Sequence, residues 1–393
     1  RGLELPVGRS GNHGKKPPSG RLFFQTRRLS AGLPDTLPGH GIDNALLGYT
    51  LALQLEMHGT RVTLVSKDIN LRIKAAILGV HAEDYFNDRT IEDADLLFTG
   101  VSGLPADFWE THGNNMESWQ EQARTFYRVR GPLVREWQPN QFLFDSGGDS
   151  FEAIVRTVED DVAKLELTQD YRGERHAIWG ITARNREQNL ALNLLLDPEI
   201  DFVTILGPAG TGKTLLALAA GLMQTLETNR FSEIIMTRVT IPLGEDIGFL
   251  PGTEEEKMEP WMGALMDNLE VLTQSQDGGS WGRAATQDLL RHRIKIRSLN
   301  FMRGRTFLNR YLILDEAQNL TSKQMKALVT RAGPGTKLVC LGNIGQIDTP
   351  YLTETTSGLT YVVNRFRGWP HAGHVTLVRG ERSRLADFAS EVL

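Results

Sequence analysis

A glycine-rich stretch that ends in lysine and threonine carries the clearest chemistry in the sequence. Residues 207–214 match the pattern G-x-x-x-x-G-K-[ST] and lie between an apolar run at 202–206 and a stretch rich in Ala and Leu. Glycines let backbone N–H groups converge on phosphate oxygens, and a helix that follows them adds a favourable dipole. We therefore expect ATP to bind at Gly207, Pro208, Ala209, Gly210, Thr211, Gly212, Lys213 and Thr214.

Two adjacent acids complete a hydrolytic site in this interpretation. Asp315 and Glu316 follow four apolar residues at 311–314. In P-loop enzymes the lysine contacts the β- and γ-phosphates, and Mg²⁺ is held by the loop hydroxyl and by a carboxylate on a neighbouring strand. This predicts that Lys213 contacts the phosphates and that Thr214 and Asp315 hold Mg²⁺. Glu316 is placed to polarise the attacking water as general base, so the pair favours hydrolysis over nucleotide storage. An acidic helix cap after a strand is the alternative.

Two side-chain amides and an arginine are further candidates. Asn343 and Gln346 follow an apolar run at 337–341 and are placed to sense the γ-phosphate. Gln188 precedes the P-loop at a distance suited to contacting the adenine edge, although an exposed helix glutamine explains it equally well. Arg382 is placed to stabilise transition-state charge in its own or a neighbouring subunit, and a solvated charged face is the equal alternative.

A basic stretch at 289–314 contains no acidic residue. Phe301 and Phe307 are interleaved with its cations, a composition typical of surfaces that track a single-stranded nucleic acid and stack on its bases. The alternatives are solvated arginines around one buried strand at 294–296, or contact of residues 303–305 with the nucleotide phosphates. The cations are Arg291, Arg293, Lys295, Arg297, Arg303, Arg305 and Arg310.

Composition and charge exclude several classes of protein. The 43 Lys and Arg against 48 Asp and Glu give a net charge of −5, so any basic surface must be local. No run of 18 apolar residues is present to span a bilayer, and residues 1–30 lack the apolar core of a signal peptide. A single cysteine, Cys340, excludes a disulfide framework and is predicted to be buried. We expect a cytoplasmic protein without a membrane partner.

The order of elements predicts an α/β chain of more than one domain, as its 393 residues require. A polar linker at 1–19 precedes a first domain at 20–105. Its elements alternate as in a small parallel sheet, and we expect a strand at 20–26, a helix at 43–57, a strand at 61–66 and a helix at 71–78 closed by Gly79.

The remaining chain is predicted to hold two further parts. Residues 106–172 form a small, partly β connecting segment, with candidate strands at 126–129, 142–144 and 163–167. Residues 173–393 alternate strand and helix and predict a P-loop NTPase fold, a RecA-like three-layer sandwich on a parallel sheet. Its strands are expected at 202–206, 233–237, 311–314, 337–341 and 374–378.

With these residues in view, residues 173–393 resemble the PhoH-like ATPases, whose core is related to that of superfamily 1 helicases. The resemblance supports Gln188 as the adenine reader. It also implies ring-like homo-oligomers, in which an arginine acts in trans. The segments that carry it are 207–214, 238–252, 302–306, 314–319, 342–348 and 381–383.

The first hundred residues look like the later part of a PIN nuclease domain, the N-terminal partner of long members of that family. Residues 62–75 match the pattern in which an aspartate, here Asp68, follows a strand, and Asp43 matches another acidic position. PIN domains bind Mg²⁺ or Mn²⁺ through three or four carboxylates and cleave RNA with metal-activated water. The first PIN strand and the following helix are absent before residue 20, which predicts an incomplete domain with impaired ribonuclease activity. Asp68 has the alternative role of helix N-cap.

Together these features predict a cytoplasmic ATPase that couples Mg²⁺-dependent ATP hydrolysis to remodelling or unwinding of single-stranded RNA. A nucleotide-switched RNA-binding module with little turnover is the alternative. A small-molecule kinase is disfavoured because Asp315 and Glu316 suit water activation and because no lid or acceptor motif is present.

Overall fold

The structure is a computed structural model. It describes residues 3–4, 21–22, 31–34, 42–57, 59–66, 68–83, 97–113, 116–145, 151–239, 292–297, 299, 304–349 and 352–380. Contacts divide the chain into two compact units, residues 1–88 and 89–393. This division lies before the predicted boundary at residue 105, because the strand Val101–Leu104 pairs with strand Phe142–Asp145 of the connecting sheet.

The first unit builds a small core between two helices and a parallel strand pair. Leu47, Leu71, Ala75 and Val80 are buried together. Glycine at position 79 has a φ of +72°, a left-handed conformation that closes the second helix as predicted. Of the strand predicted at 20–26, residues 20 and 23–26 lie outside the described residues. The elements are β1 (Leu3–Glu4), antiparallel to β2 (Arg21–Leu22), then α1 (Ile42–Glu56), β3 (Thr63–Val65), α2 (Ile69–Ile77) and β4 (His81–Glu83), with β3 parallel to β4.

The connecting segment is a six-stranded sheet, more regular than the sequence predicts. Its order is β5-β8-β9-β10-β7-β6, antiparallel except for the pair β5 and β8. Side chains of β9 and β10, such as Val155 and Leu165, bury one face against Phe108. The elements are β5 (Val101–Leu104), α3 (Phe108–His112), β6 (Glu117–Glu121), β7 (Arg124–Arg130), β8 (Phe142–Asp145), β9 (Glu152–Glu159) and β10 (Val162–Leu167).

The rest of the second unit is a parallel sheet between two helical layers, which confirms the predicted three-layer α/β fold. Every strand pair in it is parallel, in the order β13-β12-β14-β15-β11-β16. The last strand begins two residues before its prediction. The elements are α4 (Arg186–Leu196), β11 (Phe202–Leu206), α5 (Lys213–Leu222), β12 (Glu233–Arg238), β13 (Ile294–Ile296), β14 (Arg310–Asp315), α6 (Ser322–Val329), β15 (Lys337–Gly342), α7 (Gly358–Phe366) and β16 (Ala372–Thr376).

Successive residues of each strand pack on opposite faces of this sheet. Ile313 and Val339 pack in one core with the leucines and alanines of α4 and α5. Leu314 and Cys340 pack in the other core with α6 and α7. Continuous apolar runs such as residues 311–314 are therefore expected, since both faces of a parallel sheet are covered. Cys340 is fully buried as predicted, and burial raises the pKa of its thiol.

The connecting sheet is tied to α4, the helix that carries Gln188. Glu152 of β9 is buried, and its carboxylate accepts hydrogen bonds from Asn189 at 3.2 Å and from Arg186 at 3.2 Å. Arg172 pairs with the same carboxylate. A buried charge is tolerated only with such partners, so these contacts hold the N-terminal half of α4 in one position beside the P-loop.

Candidate active site

The P-loop lies between β11 and α5, at the carboxyl edge of the sheet. Three of its glycines have backbone angles that other residues rarely adopt, with φ of +153° at Gly207, +80° at Gly210 and +84° at Gly212. A Cβ on Gly207 would lie 2.5 Å from the carbonyl oxygen of Leu377 in the chain after β16. Glycine is therefore required here by both conformation and space.

Lys213 is the first residue of α5, and its ammonium group lies over the loop. Its Nζ donates to the carbonyl oxygens of Gly207 at 2.7 Å and Pro208 at 2.8 Å. Thr211 Oγ1 donates to the same Pro208 oxygen at 2.9 Å. Thr214 follows as the second residue of the helix. The N-terminus of α5 and a lysine charge thus converge on one loop, which is the arrangement that attracts phosphate.

Gln188 lies behind the P-loop and is buried, so it is not the exposed helix glutamine that position alone allowed. Its Nε2 donates to Thr211 O at 3.1 Å, and its Oε1 accepts from the backbone N–H of Arg184 at 2.8 Å. The amide therefore supports the loop backbone. Reading of adenine by Gln188 stays a prediction.

Asp315 and Glu316 lie at the carboxyl end of β14. Asp315 is 9 % exposed, and burial followed by the neighbouring Glu316 raises the pKa of its carboxyl to about 6, while the charges of Arg238 and Lys213 oppose that shift. The influence of Lys213 means that the acid lies within electrostatic range of the P-loop lysine. Glu316 adopts a left-handed backbone conformation with φ of +54°, which is uncommon for a residue other than glycine.

The loop after β15 carries the candidate sensors and contacts the acidic pair through one amide. Gln346 is exposed, and its backbone N–H donates to Asn343 O at 3.0 Å. Asn343 Oδ1 accepts from Gly345 N at 3.2 Å, which closes the turn. Gln318 Nε2 donates to both Gln346 O and Glu316 Oε2. The side-chain amide of Gln318 therefore links Glu316 to the loop after β15.

Comparison with known proteins identifies the family of this chain. Residues 180–388 match the family of PhoH-like proteins, and residues 9–86 match the PIN domain. The chain is 40% identical over 362 residues to Protein PhoH2 of Bacillus subtilis, covering 89% of this chain and 77% of that protein. The chain belongs to the PhoH-like family. Proteins named PhoH2 from Thermobispora bispora (33% identity, 92% of this chain, 77% of that protein) and Mycolicibacterium smegmatis (32%, 88%, 73%) are also similar.

Family and fold together make this PhoH-like chain a P-loop NTPase domain preceded by a PIN-like domain. In the first unit Asp43 is exposed in the first turn of α1. Asp68 is the N-cap of α2, where its Oδ1 accepts from Asn70 N at 2.8 Å and Leu71 N at 3.3 Å. Among the described residues no group of three or more His, Cys, Asp or Glu is placed to hold a metal ion. The metal roles of Asp43 and Asp68 stay predictions.

The basic stretch of the PhoH-like chain differs from its prediction in one respect. Phe307 is buried in the core that also holds apolar residues of α6 and α7, so little of its ring is exposed for stacking on a base. Arg297, Arg305 and Arg310 line a cleft of about 300 Å³ beside β12. Arg310 pairs there with Glu233 at 2.8 Å. These cations therefore lie at a surface cleft, where Phe307 contributes to the lining as a largely buried side chain.

Some predicted residues of the PhoH-like chain lie outside the described residues. Arg382, Arg303, Phe301 and Arg291 are among them. The strand at 294–296 is present as β13, with Ile294 buried. In the described part of the chain, no helix is both long and apolar enough to cross a membrane.

Sequence reasoning missed two residues of the site in this PhoH-like chain, Arg238 and Gln318. Arg238 ends β12 and its Nη2 lies 3.0 Å from Glu316 Oε1. An arginine directly after an apolar strand was the available signal, since charges at the carboxyl ends of neighbouring parallel strands meet at one edge. Gln318 stands two residues after the predicted general base, but nothing in the sequence marks it as part of the site. Its place in the site became apparent only from its burial in the structure.

Proposed function

We propose that this PhoH-like chain is a cytoplasmic ATPase that couples Mg²⁺-dependent ATP hydrolysis to remodelling or unwinding of single-stranded RNA. The observation that carries the proposal is the meeting of Lys213, Asp315 and Glu316 at one edge of a parallel sheet. A P-loop lysine beside a strand-end Asp-Glu pair suits nucleotide hydrolysis more than nucleotide storage.

The roles of the residues follow from their chemistry. The glycines of residues 207–214 and the N-terminus of α5 bind the phosphates, with Lys213 on the β- and γ-phosphates. The hydroxyl of Thr214 and the carboxylate of Asp315 are the oxygen ligands that would hold Mg²⁺, which when bound neutralises charge on the phosphates. Glu316 takes the proton of the attacking water, and Gln346 senses the γ-phosphate.

Other parts of the proposal extend beyond these residues. Gln188 contacts the adenine, and Arg382 stabilises transition-state charge, in trans if the chain forms ring-like homo-oligomers. In the first unit, Asp43 and Asp68 are the proposed ligands for Mg²⁺ or Mn²⁺ at a PIN-type site.

RNA as the partner is supported by two independent features. The cleft beside β12 is lined by Arg297, Arg305 and Arg310 together with Glu233, and arginine side chains suit contact with a phosphate backbone. The match of residues 9–86 to the PIN domain also supports a nucleic-acid partner. Single-stranded RNA is a partner that fits both features.

The alternative is a nucleotide-switched RNA-binding module with little turnover. It is favoured by the ion pair between Arg238 and Glu316, because the arginine already engages one carboxylate oxygen of the proposed base. In this alternative, ATP binding changes how RNA is held, and hydrolysis is slow.

Steady-state ATP hydrolysis separates the two. Turnover with Mg²⁺ would be measured with and without single-stranded RNA for the wild-type chain and the Lys213→Ala variant, with the exposed Lys323→Ala as the matched control. We expect RNA-stimulated turnover in wild type and in Lys323→Ala, and its loss in Lys213→Ala. ATP binding that depends on Lys213 but gives negligible, RNA-indifferent turnover would instead establish the switch.

A further inference from the structure

Gln318 is a fully buried polar side chain in the single helical turn after β14. Both ends of its amide are hydrogen-bonded. Nε2 donates to Glu316 Oε2 at 2.7 Å and to Gln346 O at 2.9 Å, and Oε1 accepts from Asn343 N at 3.1 Å. A buried amide with these partners is held in one orientation, since any rotation would leave a polar group without a partner.

Its two N–H bonds reach two different parts of the site. One goes to the carboxylate of Glu316, and hydrogen bonds to an ionised acceptor are the stronger kind. The other goes to the backbone of Gln346, at the tip of the loop after β15. A single amide thereby connects the proposed base to the proposed sensor loop.

The surroundings of Gln318 leave its amide no second position. Gly342 at the end of β15 faces it, and a Cβ there would lie 2.5 Å from Gln318 Oε1. Ser357, the N-cap of α7, donates from Oγ to Gln318 O at 2.8 Å and so fixes its backbone. Strand, helix and turn therefore hold the residue from three sides.

We propose that Gln318 is a positioning residue whose side-chain amide locks the carboxylate of Glu316 to the loop that carries Gln346, so that the general base and the γ-phosphate sensor are set as one unit. The proposal rests on the proposed ATPase function. Gln318 itself contacts no reacting atom: its effect reaches the attacking water only through Glu316. A displacement of the sensor loop would accordingly move the base.

Asn319 provides a matched control, because it is the next residue, also buried, and also tied to the loop after β15. Its Oδ1 accepts from Asp348 N at 2.8 Å and from Thr349 N at 3.3 Å. Its link to Glu316 runs from backbone N–H to backbone carbonyl at 3.1 Å, which a change of side chain leaves in place. A general loosening of this loop should follow from changing either residue, whereas misplacement of the base should follow only from changing Gln318.

The experiment compares Gln318→Met with Asn319→Leu in the full chain. Both substitutions replace an amide with an apolar group of similar size. Thermal unfolding, the Kd for ATP, and kcat and KM for ATP hydrolysis would be measured for each. We expect Gln318→Met to lower kcat by roughly 10²-fold, because small displacements of a catalytic group have effects of that order. Kd and KM should stay within about threefold of wild type, and Asn319→Leu should keep most of the wild-type kcat.

A double variant tests the connection between base and sensor. If Gln318 and Gln346 act as one unit, Gln318→Met combined with Gln346→Ala should lower kcat no further than the more severe single variant. Losses that multiply would show independent action and overturn the proposal.

Three other outcomes would also overturn it: a kcat for Gln318→Met within about threefold of wild type, an equal loss of kcat in Asn319→Leu, or a loss that appears only in KM. If Gln318→Met does not fold, Gln318→Asn is measured in the same way, since its shorter amide cannot reach both partners, and an unchanged kcat would again count against the role. A wild-type chain without Lys213-dependent turnover would instead remove the proposed function, and the positioning role with it.

Discussion

Arg238 and Glu316 form an ion pair across the carboxyl ends of two neighbouring parallel strands, with 3.0 Å between Nη2 and Oε1. Arg238 is also paired in register with Asp315, and the next residue, Val239, donates its N–H to Asp315 O at 2.9 Å. Both side chains of the ion pair are about one-third exposed, so the pair contributes only about 0–1 kcal/mol to stability. Its main effect is orientation, because with Gln318 it engages both carboxylate oxygens of Glu316.

Replacement of Glu316 by glutamine should separate binding from hydrolysis. Glu316→Gln keeps the shape of the side chain but cannot accept a proton, so kcat should fall by roughly 10²- to 10⁴-fold while ATP binding is retained. ATP turnover and ATP binding by equilibrium titration would be measured together. Glu354→Gln, at an exposed position before α7, is the control and should hydrolyse normally. Persistent turnover in Glu316→Gln would remove Glu316 from the role of base.

The cleft arginines should contribute to RNA affinity in a salt-dependent way. Arg297→Ala combined with Arg305→Ala should weaken binding of single-stranded RNA, because fewer phosphates are then neutralised. The slope of log K against log salt should become shallower by about 0.7 for each phosphate that the variant no longer neutralises. The measurement is a binding titration at several salt concentrations.

The control for that prediction removes the same charge elsewhere. Arg128→Ala combined with Arg135→Ala alters two exposed arginines of the connecting sheet, which pair with Glu117 and Asp161. It should change RNA binding little. Equal effects in both double variants would indicate a response to net charge only, and unchanged binding in the cleft variant would assign those arginines to the nucleotide site or to a solvated surface.

Two substitutions of Asp68 distinguish a helix cap from a metal ligand. Asp68→Ala removes the oxygen that accepts from Asn70 and Leu71, so the free energy of unfolding of the first unit should fall by about 1 kcal/mol. Asp68→Asn keeps a capping oxygen and should be nearly as stable as wild type. Urea denaturation followed by circular dichroism measures this difference.

The same two variants test the PIN site. Any RNA cleavage supported by Mn²⁺ should be lost in both, since neither keeps the carboxylate. Cleavage that survives in Asp68→Asn would leave Asp68 with the capping role alone, and an Asp68→Ala chain as stable as wild type would contradict the cap.

Buried His374 should make the second unit sensitive to acid. Burial lowers the pKa of His374 to about 3, although a hydrogen bond with the backbone of Thr204 limits the shift. Below the ordinary pKa of 6.5, the unfolded chain binds a proton at His374 that the folded chain does not bind. This difference does not affect stability above pH 6.5, but it lowers the free energy of unfolding progressively as the pH falls to about 3.

The expected slope is roughly 1.4 kcal/mol of unfolding free energy per pH unit from this group. Urea denaturation between pH 7 and about pH 4 would measure it. His374→Gln should lose less stability over that interval than wild type, whereas His371→Gln, at an exposed position, should behave like wild type. Parallel curves for all three proteins would contradict the assignment to His374.

Features that depend on neighbouring residues in the chain could be predicted from the sequence. The P-loop was found because an apolar strand, the glycine turn and the helix start are consecutive at 202–214, and Asp315 because it follows four apolar residues. The same logic predicted α1, α2 and the parallel strands within a few residues of their observed bounds. Strand and helix patterns are local, since they arise from periodicity and from turn chemistry.

Features that depend on contacts between residues far apart in the sequence could not be predicted in this way. The sequence pattern of Phe307 among arginines favoured a stacking surface, but the ring is buried in the core that also holds residues of β14, α6 and α7. The sequence was equally compatible with Gln188 as an exposed residue of a helix. Its burial follows from the contact of α4 with the P-loop. Burial of a single polar or aromatic residue is set by what packs against it, which no short window contains.

By itself, the sequence determined the family, the three-layer α/β architecture and the identity of the P-loop and the acidic pair, because each of these rests on residues adjacent in the chain. Only the tertiary structure decided that Arg238 and Gln318 hold Glu316, and that the loop of Gln346 is joined to it. The reason is physical: the order β12-β14-β15 brings together residues far apart in sequence, and strand order follows from the packing of both helical layers rather than from any local pattern.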